Sequence, residues 1–242
     1  MFRSGNPTLS EDIFHQNSSS VPMQSQGTMT INGTVNKIGI LFLLLLIGAS
    51  ISWYTPSPIF IWGGAIGGFI VALITIFKKE WSPITAPIYG FLEGLFLGGI
   101  SMVFASQYQG IVFNAVALTL GIFAAMLFLY RSGWIEVTQR FRMGIMAATA
   151  GVGLVYLASI VLGFFGVNLS LVSGTGIYGI GFSLIVIAIA SLNLVLDFDL
   201  IDKGAEAKAP IYFEWYTAFG LIITLVWLYL EILRLLSKLQ RR

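Results

Sequence analysis

Apolar residues in this chain fall into seven long runs separated by short polar connectors. The runs are Ile38–Tyr54, Ile59–Phe77, Pro87–Ser106, Gly110–Tyr130, Met143–Phe165, Gly176–Leu196 and Ile211–Leu236. A helix needs about 20 apolar residues, with a range of about 17–25, to cross the hydrocarbon layer of a bilayer. Barrel strands would instead be about ten residues long with alternating polarity. The pattern therefore predicts an all-α polytopic membrane protein, a bundle of seven transmembrane helices.

The seventh run is the least regular because it contains two carboxylates. Glu214 and Glu231 are separated by 16 uncharged residues, which as a helix would span about 24 Å, slightly less than the hydrocarbon layer. Either both glutamates lie near opposite interfaces, or this helix is buried among the others.

The first 36 residues are rich in Ser, Asn, Gln and Thr and show no apolar periodicity. We expect residues 1–36 to form a largely disordered polar tail and residues 37–242 to form the transmembrane domain. The tail is too long and too weakly basic for the charged start of a signal peptide.

Composition narrows the function classes. The chain is 57% hydrophobic and 10% charged, against about 25% charged in soluble domains, so its surface must face lipid. A net charge of +2 gives no reason to expect nucleic-acid binding. There is no cysteine, and the single histidine, His15, lies in the tail. A thiolate or histidine metal cluster and a Ser-His-Asp triad are thereby excluded from the apolar part. We expect neither enzymatic activity nor a cofactor.

Basic residues are distributed unevenly among the connectors. Thr55–Pro58, Gln107–Gln109 and Gly166–Thr175 carry none, whereas the tail and the other connectors hold nine of the 13. These nine are Arg3, Lys37, Lys78, Lys79, Arg131, Arg140, Arg142, Lys203 and Lys208. The positive-inside rule places the N-terminus and these connectors in the cytoplasm.

The last four basic residues do not fit that assignment simply. Seven spans would put Arg234, Lys238, Arg241 and Arg242 outside, where basic charge is disfavoured. Six spans and a re-entrant last segment would keep them in the cytoplasm. We prefer seven spans, and the pattern leaves both arrangements open.

Glycines recur at four-residue spacing in the second and third runs, a pattern that lets membrane helices approach closely. They are Gly63/Gly67, Gly64/Gly68 and Gly90/Gly94/Gly98. We interpret these stripes as helix-packing surfaces.

Ionisable side chains at membrane depth are costly, so each calls for an explanation. Glu93 lies about seven residues into the third run, Asp197 follows the sixth, and Asn193 precedes Asp197 by one turn on the same face. Counted from the cytoplasmic side, these three and Glu214 fall within about 10 Å of it. Carboxylates that share a low-dielectric pocket cannot all ionise cheaply. The cluster is a candidate proton sensor or site where cations enter.

Other interpretations of these residues stay open. Glu93 fits a single neutral, hydrogen-bonded glutamic acid, and Glu231 fits a surface pair with Arg234 or Lys238. For Asp199 and Asp202 we expect a solvated loop.

Four stretches of the chain form recognisable motifs: Arg3-Ser-Gly-Asn-Pro-Thr-Leu, Ala86-Pro-Ile-Tyr-Gly-Phe-Leu-Glu-Gly-Leu-Phe-Leu-Gly, Leu194-Val-Leu-Asp-Phe-Asp-Leu-Ile-Asp and Trp227-Leu-Tyr-Leu-Glu-Ile-Leu-Arg-Leu-Leu. They resemble the Bax inhibitor-1/YccA family. The similarity covers nearly the whole chain and points to a bacterial branch that carries this N-terminal tail. It implies a multi-pass protein of the bacterial cytoplasmic membrane, with the last of seven helices at the centre of the bundle.

The resemblance also implies a pH-dependent calcium leak gated by two acidic residues. They fall on Asp197 and, by the match of Tyr229-Leu-Glu231 to the family's aromatic-Leu-Asp, on Glu231; together they would be a weak calcium site. The chain departs from the family pattern in having Glu for Asp and about nine extra residues between the pair. That insertion makes Glu214 an alternative partner of Asp197, and Glu93 a third member of the cluster.

Two function hypotheses follow. In the first, the protein is a leak for calcium or other cations controlled by protonation of these carboxylates. Two or three carboxylates are fewer than the 6–8 oxygens of a tight calcium site, so passage fits better than storage. In the second, the protein conducts nothing and modulates a membrane protease or stress-response partner through its tail and loops.

Overall fold

The computed structural model describes residues 27–241, and within them the chain forms seven long helices. These are α1 (Ile31–Tyr54), α2 (Pro58–Phe77), α3 (Ser82–Gln107), α4 (Ile111–Arg131), α5 (Gln139–Phe164), α6 (Ile177–Glu206) and α7 (Tyr212–Gln240). A 3-10 turn, Lys79–Trp81, precedes α3, and a single helical turn, Ser170–Ser173, precedes α6. His15 and the start of the tail lie outside the described residues.

All seven helices are long and apolar enough to cross a membrane, which confirms the predicted class. Their outward faces carry large hydrophobic side chains, among them Phe69, Phe113 and Leu154, as expected for a surface in contact with lipid. The last helix, α7, is continuous over 29 residues. The seventh run is thus one unbroken helix, long and apolar enough for the preferred seventh crossing.

Several helices extend beyond their predicted ends, most of all α1 and α6. The first begins at Ile31, six residues before the predicted boundary, because Thr30 caps it: the Thr30 hydroxyl accepts a 2.9 Å hydrogen bond from Gly33 N. Met29 N donates to Ala209 O at 2.8 Å, which ties the chain before α1 to the α6–α7 loop. The sixth continues ten residues past Leu196, to Glu206.

The last helix lies at the centre of the bundle. It packs against α1, α3, α4 and α6, and among the seven helices it has the largest buried share. Its fully buried side chains include Tyr216, Phe219 and Leu228. The opposite case is α5, which packs mainly on α6 and buries only Arg142, Ile145 and Val152.

The glycine stripes are contact surfaces, as predicted. A Cβ at Gly94 or Gly98 would overlap the backbone of α1 at Leu45 or Ala49, and one at Gly64 would lie 2.6 Å from Leu92 O of α3. Gly63 has open space around it. Backbone contact this close needs glycine, and it joins α1, α2 and α3 into one unit.

Candidate functional site

Four carboxylates are buried along α6 and α7. Asp197, Asp199, Glu214 and Glu231 are exposed by 3%, 8%, 3% and 2%, respectively. Two helices that pack against each other at the centre of an apolar bundle therefore carry most of its buried acidic groups. Such groups persist at membrane depth only where the surroundings compensate their charge or hold their proton.

The levels of these acids follow from the pairing of the two helices. Lys238 Nζ of α7 donates 2.9 Å hydrogen bonds to Gly179 O and Ser183 Oγ of α6. Gly179 lies 27 residues before the end of α6 at Glu206, and Lys238 lies 26 residues after the start of α7 at Tyr212. The two helices are therefore antiparallel, and their register places residues equally far from the α6–α7 loop at about the same level.

That register separates the predicted pair. Nine residues separate Asp197 from the end of α6, and nine separate Leu221 from the start of α7, so the two are about level. The level of Glu214 is then about 10 Å away towards one end of the bundle, and that of Glu231 about 15 Å away towards the other. The expectation that Asp197 and Glu214 share one depth is wrong, because α6 remains helical for ten residues beyond Leu196 and so places Asp197 deeper. Asp197 and Glu231 do not lie close enough along the helices to share one calcium ion.

Glu214 anchors the beginning of α1. Its Oε1 accepts hydrogen bonds of 2.9 Å from Thr30 N and 3.0 Å from Thr30 Oγ1. Its Oε2 lies 3.4 Å from Lys37 Nζ, and a Cβ at Gly33 would overlap the carboxylate. These contacts make Glu214 a structural link between α7 and α1.

Asp199 pairs with two basic side chains inside the bundle. Its Oδ2 accepts from Arg142 Nη2 of α5 and lies 2.9 Å from Lys203 Nζ, one turn later on α6. Asp202, on the same helix, accepts a 2.8 Å hydrogen bond from Tyr130 Oη of α4. The expected solvated loop at Asp199 and Asp202 is therefore wrong: both are helical and partnered.

Glu231 lies near the far end of α7 in a three-residue cluster. Its Oε1 accepts 2.6 Å hydrogen bonds from Tyr156 Oη of α5 and from Arg234 Nη1. Arg234 also donates to Tyr156 Oη at 2.6 Å. The second carboxylate oxygen, Oε2, is buried and accepts no hydrogen bond within the described part of the chain. The predicted pairing of Glu231 with Arg234 is present, but the carboxylate is buried while the Arg234 side chain is 38% exposed.

Glu93 and Asn193 lie near the middle of the bundle and line one cavity. Glu93 is 11 residues into α3 and Asn193 is 13 residues from the end of α6, which is about 16 Å and about 20 Å along their helices. They are deeper than predicted because both helices extend beyond the apolar runs. Glu93 points away from the α1 face of its glycine stripe: a Cβ at Gly68 of α2 would lie 3.0 Å from its Oε2.

A polar stripe on α5 was not predicted. Arg142, Thr149 and Tyr156 recur every seven residues, which places them on one helix face. Each contacts a polar group of the central helices: Asp199, Asn193 and Glu231 respectively. The seven-residue spacing is the signal from which the stripe could have been predicted. It shows that polar links attach the peripheral helix to the bundle at three levels.

The acids are therefore distributed along the bundle and not gathered at one point. Among residues 27–241 the structure brings together no group of three or more His, Cys, Asp or Glu side chains able to hold a metal ion. Glu214, Asp197 and Glu231 instead mark successive levels beside α7. Chemically, this arrangement can attract cations and exchange protons.

A family model described as Bax inhibitor 1 like matches residues 6–241. No curated protein matches the chain. The match covers all seven helices and every acidic residue discussed above.

Proposed function

The chain belongs to the Bax inhibitor 1-like family, and from this premise we propose that it is a pH-sensitive leak for calcium or other cations. The observation that carries the proposal is the burial of four carboxylates, at different levels, on the two packed helices α6 and α7. In an integral membrane protein, charges in such positions usually mark an ion or proton pathway.

Protonation supplies the proposed control. An ionised carboxylate beside the central helix attracts a cation, whereas a neutral carboxyl group does not. Asp197 is the residue we propose as the sensor. It is 3% exposed, it lies between the levels of Glu214 and Glu231, and it matches an acidic position of the family motif. Flux should accordingly rise as the pH rises and this group loses its proton.

The other acids have supporting roles in this proposal. Asp199 and Glu231 bind side chains of α5, so loss of their charge would loosen the peripheral helix from the bundle. Glu214 holds α1 through Thr30 and Lys37. We place the protein in a bacterial cytoplasmic membrane with its N-terminus in the cytoplasm, as the distribution of basic residues favours.

Flux through purified protein in liposomes tests the proposal. Calcium-loaded vesicles with the protein should release calcium faster at pH 8 than at pH 5, and faster than vesicles without protein. Release equal to the protein-free rate at both pH values would contradict the leak. It would favour instead a non-conducting modulator that binds a membrane protease or stress-response partner.

A further inference from the structure

A cavity of about 480 Å³ lies beside Glu93, among five of the helices. Its walls come from α2, α3, α5, α6 and α7, and most of them are apolar. The polar or aromatic lining residues are Phe69, Tyr89, Glu93, Phe96, Thr149, Asn193, Thr224 and Trp227. The volume falls within the range typical of small-molecule sites, about 300–1,000 Å³.

The charged side chain in this cavity indicates which charge a ligand should carry. Glu93 is the one carboxylate among the lining residues, which also include the Tyr89 phenol, and the aromatic rings of Phe69, Phe96 and Trp227 surround the same space. Aromatic faces and a carboxylate together favour an organic cation. A calcium ion would need about 6–8 oxygen ligands, which this mostly apolar wall does not supply.

The hydrogen bonds that the lining side chains already make favour a ligand that is a hydrogen-bond donor. Asn193 donates from Nδ2 to Thr149 Oγ1 at 2.8 Å and to Ile189 O at 2.9 Å, and Thr224 Oγ1 donates to Gly220 O at 3.3 Å. The asparagine amide hydrogens and the Thr224 hydroxyl hydrogen are thereby used within the protein. Both side chains keep oxygen lone pairs, as does the carboxylate of Glu93. A protonated amine supplies the matching N–H groups.

The cavity is accessible from the side of the bundle. Its walls include α2 residues and Thr149 of α5, while α2 packs on α3 and α5 packs on α6. Phe69 of α2 lines the cavity and is 64% exposed. A ligand with an apolar body can therefore approach between α2 and α5 from the hydrocarbon layer.

We propose that this cavity binds an amphipathic organic ammonium ion, with its N–H groups on Glu93 and Asn193 and its apolar body against Phe69, Phe96 and Trp227. The site is independent of the cation leak, because it requires binding and not passage. The two proposals can therefore be tested separately: the protein could conduct cations without binding the amine, or bind the amine without conducting cations.

Isothermal titration with n-hexylammonium at pH 7.5 tests this proposal, with the heat of protein-free micelles subtracted. We expect saturable binding at least tenfold tighter than that of n-hexanol, which has the same chain without the charge, and of hexanoate. Tetraethylammonium, which has no N–H donor, should also bind more weakly. Equal affinity for hexanol and hexylammonium would overturn the proposal, and so would displacement of the amine by millimolar calcium at constant ionic strength.

Substitutions in the cavity test whether hexylammonium binds there. Glu93→Gln keeps the shape of the side chain and removes its charge, so it should weaken hexylammonium binding at least tenfold. Glu80→Gln, at an exposed position in the turn before α3, is the matched control and should bind like the unmodified protein. Ala65→Phe, which fills the cavity without a change in charge, should abolish binding and provides a second test if Glu93→Gln does not fold. Unchanged affinity in either cavity variant would contradict the assignment.

Discussion

Tyr156 Oη of α5 donates a 2.6 Å hydrogen bond to Glu231 Oε1 of α7. This contact joins α5, which packs mainly on α6, to the helix at the centre of the bundle. Arg234 bonds to both partners, so the carboxylate at this depth has a positive charge and a hydroxyl beside it. The cluster explains how Glu231 remains buried at 2% exposure.

Replacement of Tyr156 by Phe should destabilise the protein by about 1–3 kcal/mol, because a buried carboxylate loses a donor. The ring, and with it the apolar packing against Phe182, is retained. A lower melting temperature in detergent micelles would show this loss. Tyr178→Phe is the control, since Tyr178 is 80% exposed. Equal melting temperatures of the two variants would mean that the Tyr156–Glu231 hydrogen bond contributes no stability.

The number of helices could be predicted from the sequence because a bilayer fixes the length of a spanning helix. The end of α6 could not, since the apolar run stops before the first charged residue, Asp197, and the helix continues to Glu206. Arg142 of α5 and Lys203 of α6 pair with Asp199 and allow α6 to continue with its acids buried. The positive-inside rule assigns Arg142 to a cytoplasmic connector, whereas Arg142 lies in α5 and is buried. Partners distant in sequence decide burial, and a single sequence does not reveal them.

Glycine at position 94 should be essential to packing. Gly94→Ala would place a methyl group against the α1 backbone at Leu45 and should cost about 1–3 kcal/mol or more, because overpacked helices must move apart. Gly63→Ala is the matched control: nothing lies within 4 Å of its Cβ position, so better helix propensity should stabilise it by up to about 1 kcal/mol. Thermal unfolding of both variants measures the difference. Equal stability would contradict the close approach of α1 and α3.

Glu214→Gln should lower thermal stability and leave the pH dependence of flux intact. The variant weakens the acceptor for Thr30 and removes the charge that pairs with Lys37, contacts that hold α1 to α7. Melting temperature and liposome flux, measured on the same preparation, separate the two effects. A flux that no longer varied with pH would instead make Glu214 part of the sensor.

Single cysteines in this cysteine-free chain test the topology. A cysteine at Glu80 or Glu206 should resist an impermeant thiol reagent applied to intact cells, whereas one at Gln109 or Gln240 should be labelled. All four positions are exposed, so burial does not confuse the result. Labelling of Glu80→Cys from outside would reverse the proposed orientation, and protection of Gln240→Cys would contradict a seventh crossing.

The pH profile of cation flux in Asp197→Asn tests the proposed function most directly. In the unmodified protein, flux should rise several-fold between about pH 5 and pH 8, a range in which isolated carboxylates are already ionised. Asparagine resembles the protonated acid at every pH, so the variant should fold, insert and conduct at the low acid-pH rate throughout. A variant whose flux rises with pH as steeply as that of the unmodified protein would show that Asp197 is not the sensor.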